Sequence, residues 1–192
     1  MRIVHTGRFY AGLRTPLPVL RALADLNARE RLAGSLEVLF VGPHVGEFAR
    51  DAAALGVAPL VRFHSRVPPA EATRIAEGAD VLLVIDAPSA GPSVFLPSKL
   101  IDYLPCRRPI LGVTPEEGAS ASLLRRLGCP VAPPNDVAAI ASELGRLVAR
   151  WREGRLQVGE AFDRVAAEFD ISRTTRLLHD VLTRAFEERH DH

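Results

Sequence analysis

Val81-Leu82-Leu83-Val84-Ile85, the segment Asp86 to Ser93 (DAPSAGPS), Ser98-Lys99-Leu100-Ile101-Asp102-Tyr103-Leu104 and Pro109-Ile110-Leu111-Gly112-Val113 follow one another in the chain, and their reading decides the fold. Two short apolar runs flank a helical pattern. Runs this continuous in apolar residues are expected of parallel strands covered on both faces. A helix between two such strands makes a right-handed crossover. The turn-rich segment Asp86 to Ser93 leaves a strand and precedes a helix. It therefore falls at the carboxyl edge of the sheet, where ligands bind in open α/β folds.

The same alternation extends outward from this unit. Upstream, the expected strands are Ile3-Val4, Leu36 to Val41 (LEVLFV, ending at Gly42) and Leu60 to Phe63. Downstream, Val131-Ala132 reads as a short edge strand. Thr15-Pro16 reads as an N-cap and first-turn pair, followed by Leu17, Leu20, Leu23 and Leu26 at helical spacing. Val45 to Leu55 and Pro69 to Ala76 are the next helices. Thr114-Pro115-Glu116-Glu117 places acidic residues where a helix first turn favours them. Val137, Ile140, Leu144, Leu147 and Trp151 mark a longer helix. Residues 154–159 read as a break, and Leu177, Leu178, Val181, Leu182, Ala185 and Phe186 form a final amphipathic stripe. The expected fold is α/β: a doubly wound, mostly parallel sheet of about six strands with extra C-terminal helices.

Composition narrows the function. The chain has 192 residues, 47% hydrophobic and 24% charged, with a net charge of +1. That balance argues against a general nucleic-acid or membrane-surface binder. No apolar stretch approaches the ~18 residues of a membrane span, and Met1 to Gly7 does not read as a signal peptide. Cys106 and Cys129 alone make neither a disulfide framework nor a zinc site, and they fit a reducing, cytoplasmic setting. Lys99 is the only lysine.

Two segments can carry chemistry. The first strand leads into His5-Thr6-Gly7-Arg8-Phe9-Tyr10-Ala11-Gly12-Leu13-Arg14. Gly7 follows the strand, Gly12 permits close backbone approach, and a helix start points N–H groups into the same space. Arg8 and Arg14 add two forked cations suited to a diphosphate. In an Arg-rich chain they also read as two solvated surface arginines. This is neither GxGxxG nor a P-loop. In the second segment Ser98 reads as an N-cap, which puts Lys99 in the first helical turn. A cation there opposes the helix dipole at about 0.3–1 kcal/mol, and a bound anion reverses that sign. Asp102, three residues on, suits ribose hydroxyls or simply pairs with Lys99. His5 ends the first strand within reach of the site but reads better as a satisfied strand-end histidine, and His64, after the third strand, reads equally as lining a base pocket or as a plain loop residue. His44, His179, His190 and His192 lack ligand spacing, so no metal site is expected. Asp86 reads as a strand-end turn, and Trp151 as core packing.

With these residues quoted, the chain resembles the donor-binding C-terminal half of GT-B-fold, family 4-like glycosyltransferases. The most specific block is Leu96-Pro97-Ser98-Lys99-Leu100-Ile101-Asp102-Tyr103-Leu104 with Arg108-Pro109-Ile110-Leu111. Supporting blocks are His5 to Tyr10, Leu39 to Gly42, Val61 to Pro68 and Gly78 to Leu83. The resemblance implies that Arg8 and Arg14 hold the donor diphosphate and that Lys99 lies near the phosphates or the sugar. It gives Asp102 the ribose, with Gly7, Phe63, His64 and Ser98 around the nucleotide. It implies no metal and no cofactor beyond the nucleotide-sugar donor. Val94 stands where the family has a first glutamate, Asp102 where it has a second, and Ser65 where it has a glycine.

The resemblance further implies residues 1–170 as the nucleotide-sugar-binding domain. Residues 171–192 are then an amphipathic helix packing on, or crossing toward, an N-terminal domain that this chain lacks. The implied activity is metal-independent transfer of a sugar from a nucleoside diphosphate to an acceptor in polysaccharide biosynthesis, with an acceptor domain or separate chain as partner. A non-catalytic nucleotide-binding or interaction module of the same fold is the other reading, and a sugar-nucleotide epimerase a third.

Overall fold

The computed structural model describes residues 1–10 and 13–190, leaving out the side chains of Ala185 and of residues 187–190. The expected close approach at Gly12 lies outside the described residues, as do His192 and the Ala185 side chain of the C-terminal stripe.

Six strands form one sheet: β1 (Arg2–Thr6), β2 (Glu37–Val41), β3 (Val61–His64), β4 (Val81–Ile85), β5 (Ile110–Val113) and β6 (Val131–Ala132). Their order is β3-β2-β1-β4-β5-β6, and every pairing is parallel. The helices are α1 (Leu17–Arg29), α2 (Ala49–Ala54), α3 (Pro69–Glu77), α4 (Ser98–Asp102), α5 (Ala119–Arg126), α6 (Val137–Arg152), α7 (Glu160–Ala166) and α8 (Ile171–His190). This is the doubly wound α/β architecture that the strand–helix alternation implies.

The apolar strands divide their side chains between two cores with period two. Ile3, Val38, Phe40, Leu83, Ile85 and Leu111 face Leu20, Leu23 and Leu26 of α1 and Ile140, Leu144 and Leu147 of α6. Val4, Leu39, Val41, Leu82, Val84 and Ile110 face the other way, against α3, α4, α5 and α7. Both faces are covered, so both sets must be apolar. That is why LEVLFV and VLLVI show no polar alternation. Trp151 is partly buried against the first core. Cys129 is buried and Cys106 half-buried.

Three helix starts differ from expectation. Pro16, not Thr15, occupies the cap of α1. The Thr15 hydroxyl accepts only a long hydrogen bond from the Leu17 N–H, 3.4 Å. Pro97, not Ser98, caps α4, and Ser98 is its first residue, with an exposed side chain. The acidic pair Glu116-Glu117 lies in a loop rather than a helix first turn. Gly118 (φ +141°) ends that loop and bridges Ser93, so α5 begins at Ala119, whose N–H donates to the Ser93 carbonyl at 2.8 Å. The helix expected over Val45 to Leu55 is split into a 3₁₀ turn at Val45–Phe48 and α2. The last helix, α8, runs from Ile171 past the 3₁₀ turn at Ala167–Phe169, with which it makes its main contacts.

Candidate functional site

The sheet changes winding direction between β1 and β4. The chain leaves β1 for β2 on one side and leaves β4 for β5 on the other. The loops after these strands therefore part and open a crevice at their carboxyl ends. Three strand tips are laced together beside it. The Gly7 N–H donates to the Val41 carbonyl at 2.8 Å, and the Gly42 N–H donates to the His64 carbonyl at 3.0 Å. The approach requires glycine at two positions. A Cβ on Gly42 would fall 2.1 Å from the Gly7 carbonyl oxygen. A Cβ on Gly7, whose φ is +135°, would fall 2.5 Å from Lys99 Nζ.

Lys99 thus lays its ammonium on the bare backbone of Gly7. Its Nζ is 3.2 Å from His5 Nε2. His5 is fully buried, and its Nδ1 lies 2.9 Å from the Leu83 carbonyl oxygen. A carbonyl only accepts, so Nδ1 carries the proton and Nε2 accepts from Lys99. Burial, and then the neighbouring Lys99 charge, hold His5 well below its ordinary pKa, which keeps this neutral tautomer. The ring is stacked on Phe9, with centroids 4.8 Å apart. Burial first, and Arg14 second, pull Lys99 from 10.5 down to about 7, while Asp86 opposes the fall.

Arg14 and Asp86 complete this cluster. Arg14 donates from Nη2 to the Arg8 carbonyl at 3.0 Å, and its guanidinium carbon lies 5.1 Å from the centroid of the Tyr10 ring. Arg8 is exposed and stands 6.0 Å from the same ring centroid. Asp86, the first residue after β4, is only 3% exposed. Burial raises its pKa, against the neighbouring Ser120 hydroxyl and the charges of Arg14 and Lys99, and that hydroxyl donates to the Phe95 carbonyl at 3.1 Å. Arg14 and Asp86 both line a cavity of about 470 Å³ together with Tyr10, Leu13, Ser89 and Phe95. Reading Asp86 as a strand-end turn missed this placement. Its position directly after the most apolar strand was the available signal.

The other sequence-derived residues lie elsewhere around the crevice. Asp102 does not pair with Lys99. It lines a second cavity, about 460 Å³, with Thr6, Thr73 and Tyr103. Tyr103 is buried, and its hydroxyl accepts from the Thr6 N–H at 2.8 Å and sits 3.0 Å from Thr6 Oγ1. Burial lifts the Tyr103 hydroxyl to about 12. This bond pins the tip of β1 to the end of α4, a task for Tyr103 that the sequence pattern did not reveal. Phe63 stacks on Phe40, with centroids 5.6 Å apart and planes at 16°. The exposed His64 ring turns back to the Ser65 carbonyl at 2.9 Å. Both lie on β3, two strand spacings from β1, or roughly 10 Å. Val94 is 95% exposed. Among the described residues no cluster of His, Cys, Asp and Glu has the makings of a metal site. No described helix is long and apolar enough to cross a membrane.

A parallel sheet in this order, with its loops parting between β1 and β4, defines a doubly wound α/β fold. Solved structures narrow that class. WaaG, a glycosyltransferase involved in lipopolysaccharide biosynthesis, matches with a TM-score of 0.64 at 17% identity, covering 89% of this chain and 43% of that one. Sucrose-phosphate synthase from Thermosynechococcus elongatus matches with a TM-score of 0.71 at 16% identity, covering 97% and 46%. The pneumococcal O-GlcNAc transferase GtfA, solved with UDP and GlcNAc, matches with a TM-score of 0.64 at 12% identity, covering 94% and 36%. The chain therefore has the fold of one half of a GT-B glycosyltransferase, and it spans less than half the length of these structures. No protein-family model and no curated protein sequence matches it.

Proposed function

We propose that this chain is the donor-binding half of a glycosyltransferase and takes a nucleoside-diphosphate sugar. The observation that carries the reading is the Lys99 ammonium. It is laid on Gly7 at the β1 tip, lowered to about 7 by burial and Arg14, and lacks a carboxylate within ion-pair distance among the described residues. A partly buried cation beside a second cation is unfavourable until an anion arrives. A diphosphate at the crevice is such an anion. Arg14 and Lys99 would stabilise the charge that develops on the leaving diphosphate, with Arg8 at the rim. Ser98 at the start of α4 would border the phosphates. Phe63 and His64 on β3 would flank the nucleobase, and Asp102 the ribose. In this reading sugar transfer needs no metal and no further cofactor.

The acceptor would come with a facing domain or a second chain that excludes water and positions the acceptor hydroxyl. One of the matching structures is a complex, GtfA/B (TM-score 0.68, 16% identity). The cytoplasm is the compartment proposed, and polysaccharide assembly the process.

Calorimetry of the 192-residue chain with UDP, GDP and their sugars tests this. Binding by one nucleotide series is expected, weakened at least tenfold when Arg8→Ala and Arg14→Ala are combined. A folded chain that binds no nucleotide would instead be the interaction module of the same fold.

A further inference from the structure

Asp86 and Arg14 are joined by an unusual complementarity. Asp86 Oδ1 and Arg14 Nε are both buried and both lack a hydrogen-bond partner among the described residues. One is an acceptor and the other a donor, and both residues line the same cavity. Buried polar atoms left unpaired are rare and costly, so such a pair in one hollow marks missing contacts. They do not satisfy each other: no ion pair within 4.0 Å joins the two residues. Asp86 is the one carboxylate among the described residues lining this cavity. The half-exposed Phe95 ring and Leu13 give the same hollow apolar walls. A carboxylate beside apolar walls matches a sugar ring, which offers hydroxyl donors and C–H faces. A second phosphate group would be repelled by the carboxylate.

We propose that Asp86 is a sugar-reading residue, whose carboxylate accepts hydrogen bonds from hydroxyls of the donor's transferred sugar while Arg14 takes a phosphate oxygen. The inference rests on the proposed donor-binding function and adds the part of the donor that this carboxylate recognises. It makes Asp86 a binding and specificity residue with no covalent role.

The test compares Kd for UDP with Kd for UDP-glucose and UDP-GlcNAc, and GDP with GDP-mannose, in wild type and in Asp86→Asn. Asn keeps the shape and loses the charge. If Asp86 reads the sugar, the affinity of the nucleotide sugar relative to its bare nucleotide falls roughly tenfold or more, while the bare nucleotide binds as well or better. A purely electrostatic role moves both ligands together, leaves their ratio unchanged and overturns the inference. A contact to the ribose, which both ligands carry, would weaken both alike, and that outcome also overturns it. No nucleotide binding at all in wild type refutes the donor-binding function itself. UDP-glucose analogues deoxygenated one hydroxyl at a time provide a readout in the unmutated protein. At least one must lose a similar factor, and uniform affinity across the series refutes the contact even if the variant folds poorly.

Discussion

Lys99 carries its charge at a cost, and that cost has two measurable signatures. Its folded pKa is about 7 against an ordinary 10.5. Between those values the unfolded chain binds more protons than the folded one. The Lys99 contribution to stability therefore rises with pH across that window, and below pH 7 the full penalty of the buried charge applies. Lys99→Met removes the charge and keeps the apolar stem. At pH 6 the variant is expected to melt several degrees above wild type, with the difference shrinking as pH approaches 10. Equal melting temperatures at both pH values would place the ammonium in free solvent. The same linkage runs through binding. At pH 7.5, above that value, Lys99 is mostly deprotonated. A bound diphosphate pulls the proton back, so UDP or GDP binding should take up a sizeable fraction of a proton. Titrations in HEPES and Tris, whose ionisation enthalpies differ, read this uptake directly, and Lys99→Met should abolish it. Asp86 opposes the fall of Lys99 from the other side of the cluster, because its carboxylate charge favours the ammonium.

At the scale of elements, the crevice exists because strand tips approach more closely than side chains allow. Gly42→Ala sets a methyl against the rigid Gly7 carbonyl at 2.1 Å, so β1 and β2 must separate. A loss of more than about 2 kcal/mol in urea unfolding is expected. At Gly7 the Cβ meets the end of a flexible lysine instead. Gly7→Ala adds strain at φ +135° but mainly displaces Lys99, so nucleotide affinity should fall further than stability does. If Gly42→Ala melts like wild type, the tips are looser than these distances. What was legible in the sequence follows the same divide between local and distant causes. Val81–Ile85 and Val131–Ala132 match their expected bounds because burial on both faces writes itself into composition. The caps at Thr15 and Ser98 were misplaced by one residue. Proline at the next or preceding position took the cap without a side-chain bond, and a serine or threonine nearby looks the same either way. The start of α5 depended on Ser93 bridging Gly118 across 25 residues, which no local pattern records. The cluster was half visible for the same reason. Gly7, Arg14 and Lys99 stood out by type, whereas Asp86 and Tyr103 acquire their roles only when β1, β4 and α4 meet.

For the whole molecule, α8 is the element that the rest does not account for. Leu177, Leu178, Val181 and Leu182 are each 55–60% exposed, and Ile171 is 76% exposed. They sit at i, i+1, i+4 and i+5, so they form one continuous apolar stripe along the helix. The cores on both faces of the sheet close without it. Its contribution to the stability of residues 1–170 should therefore be small, while its exposed area drives association. Leu178→Glu with Leu182→Glu places two charges on the stripe one helical turn apart. The doubly substituted chain is expected to keep the wild-type melting temperature within about 2 °C, the range of surface changes in a chain of this size. Sedimentation velocity should separate the two proteins. Wild type at tens of micromolar should shift to larger species with concentration, and the variant should remain a monomer throughout. A wild-type chain that stays monomeric, together with a variant that melts many degrees lower, would mean that α8 folds back onto the domain in solution and belongs to its core.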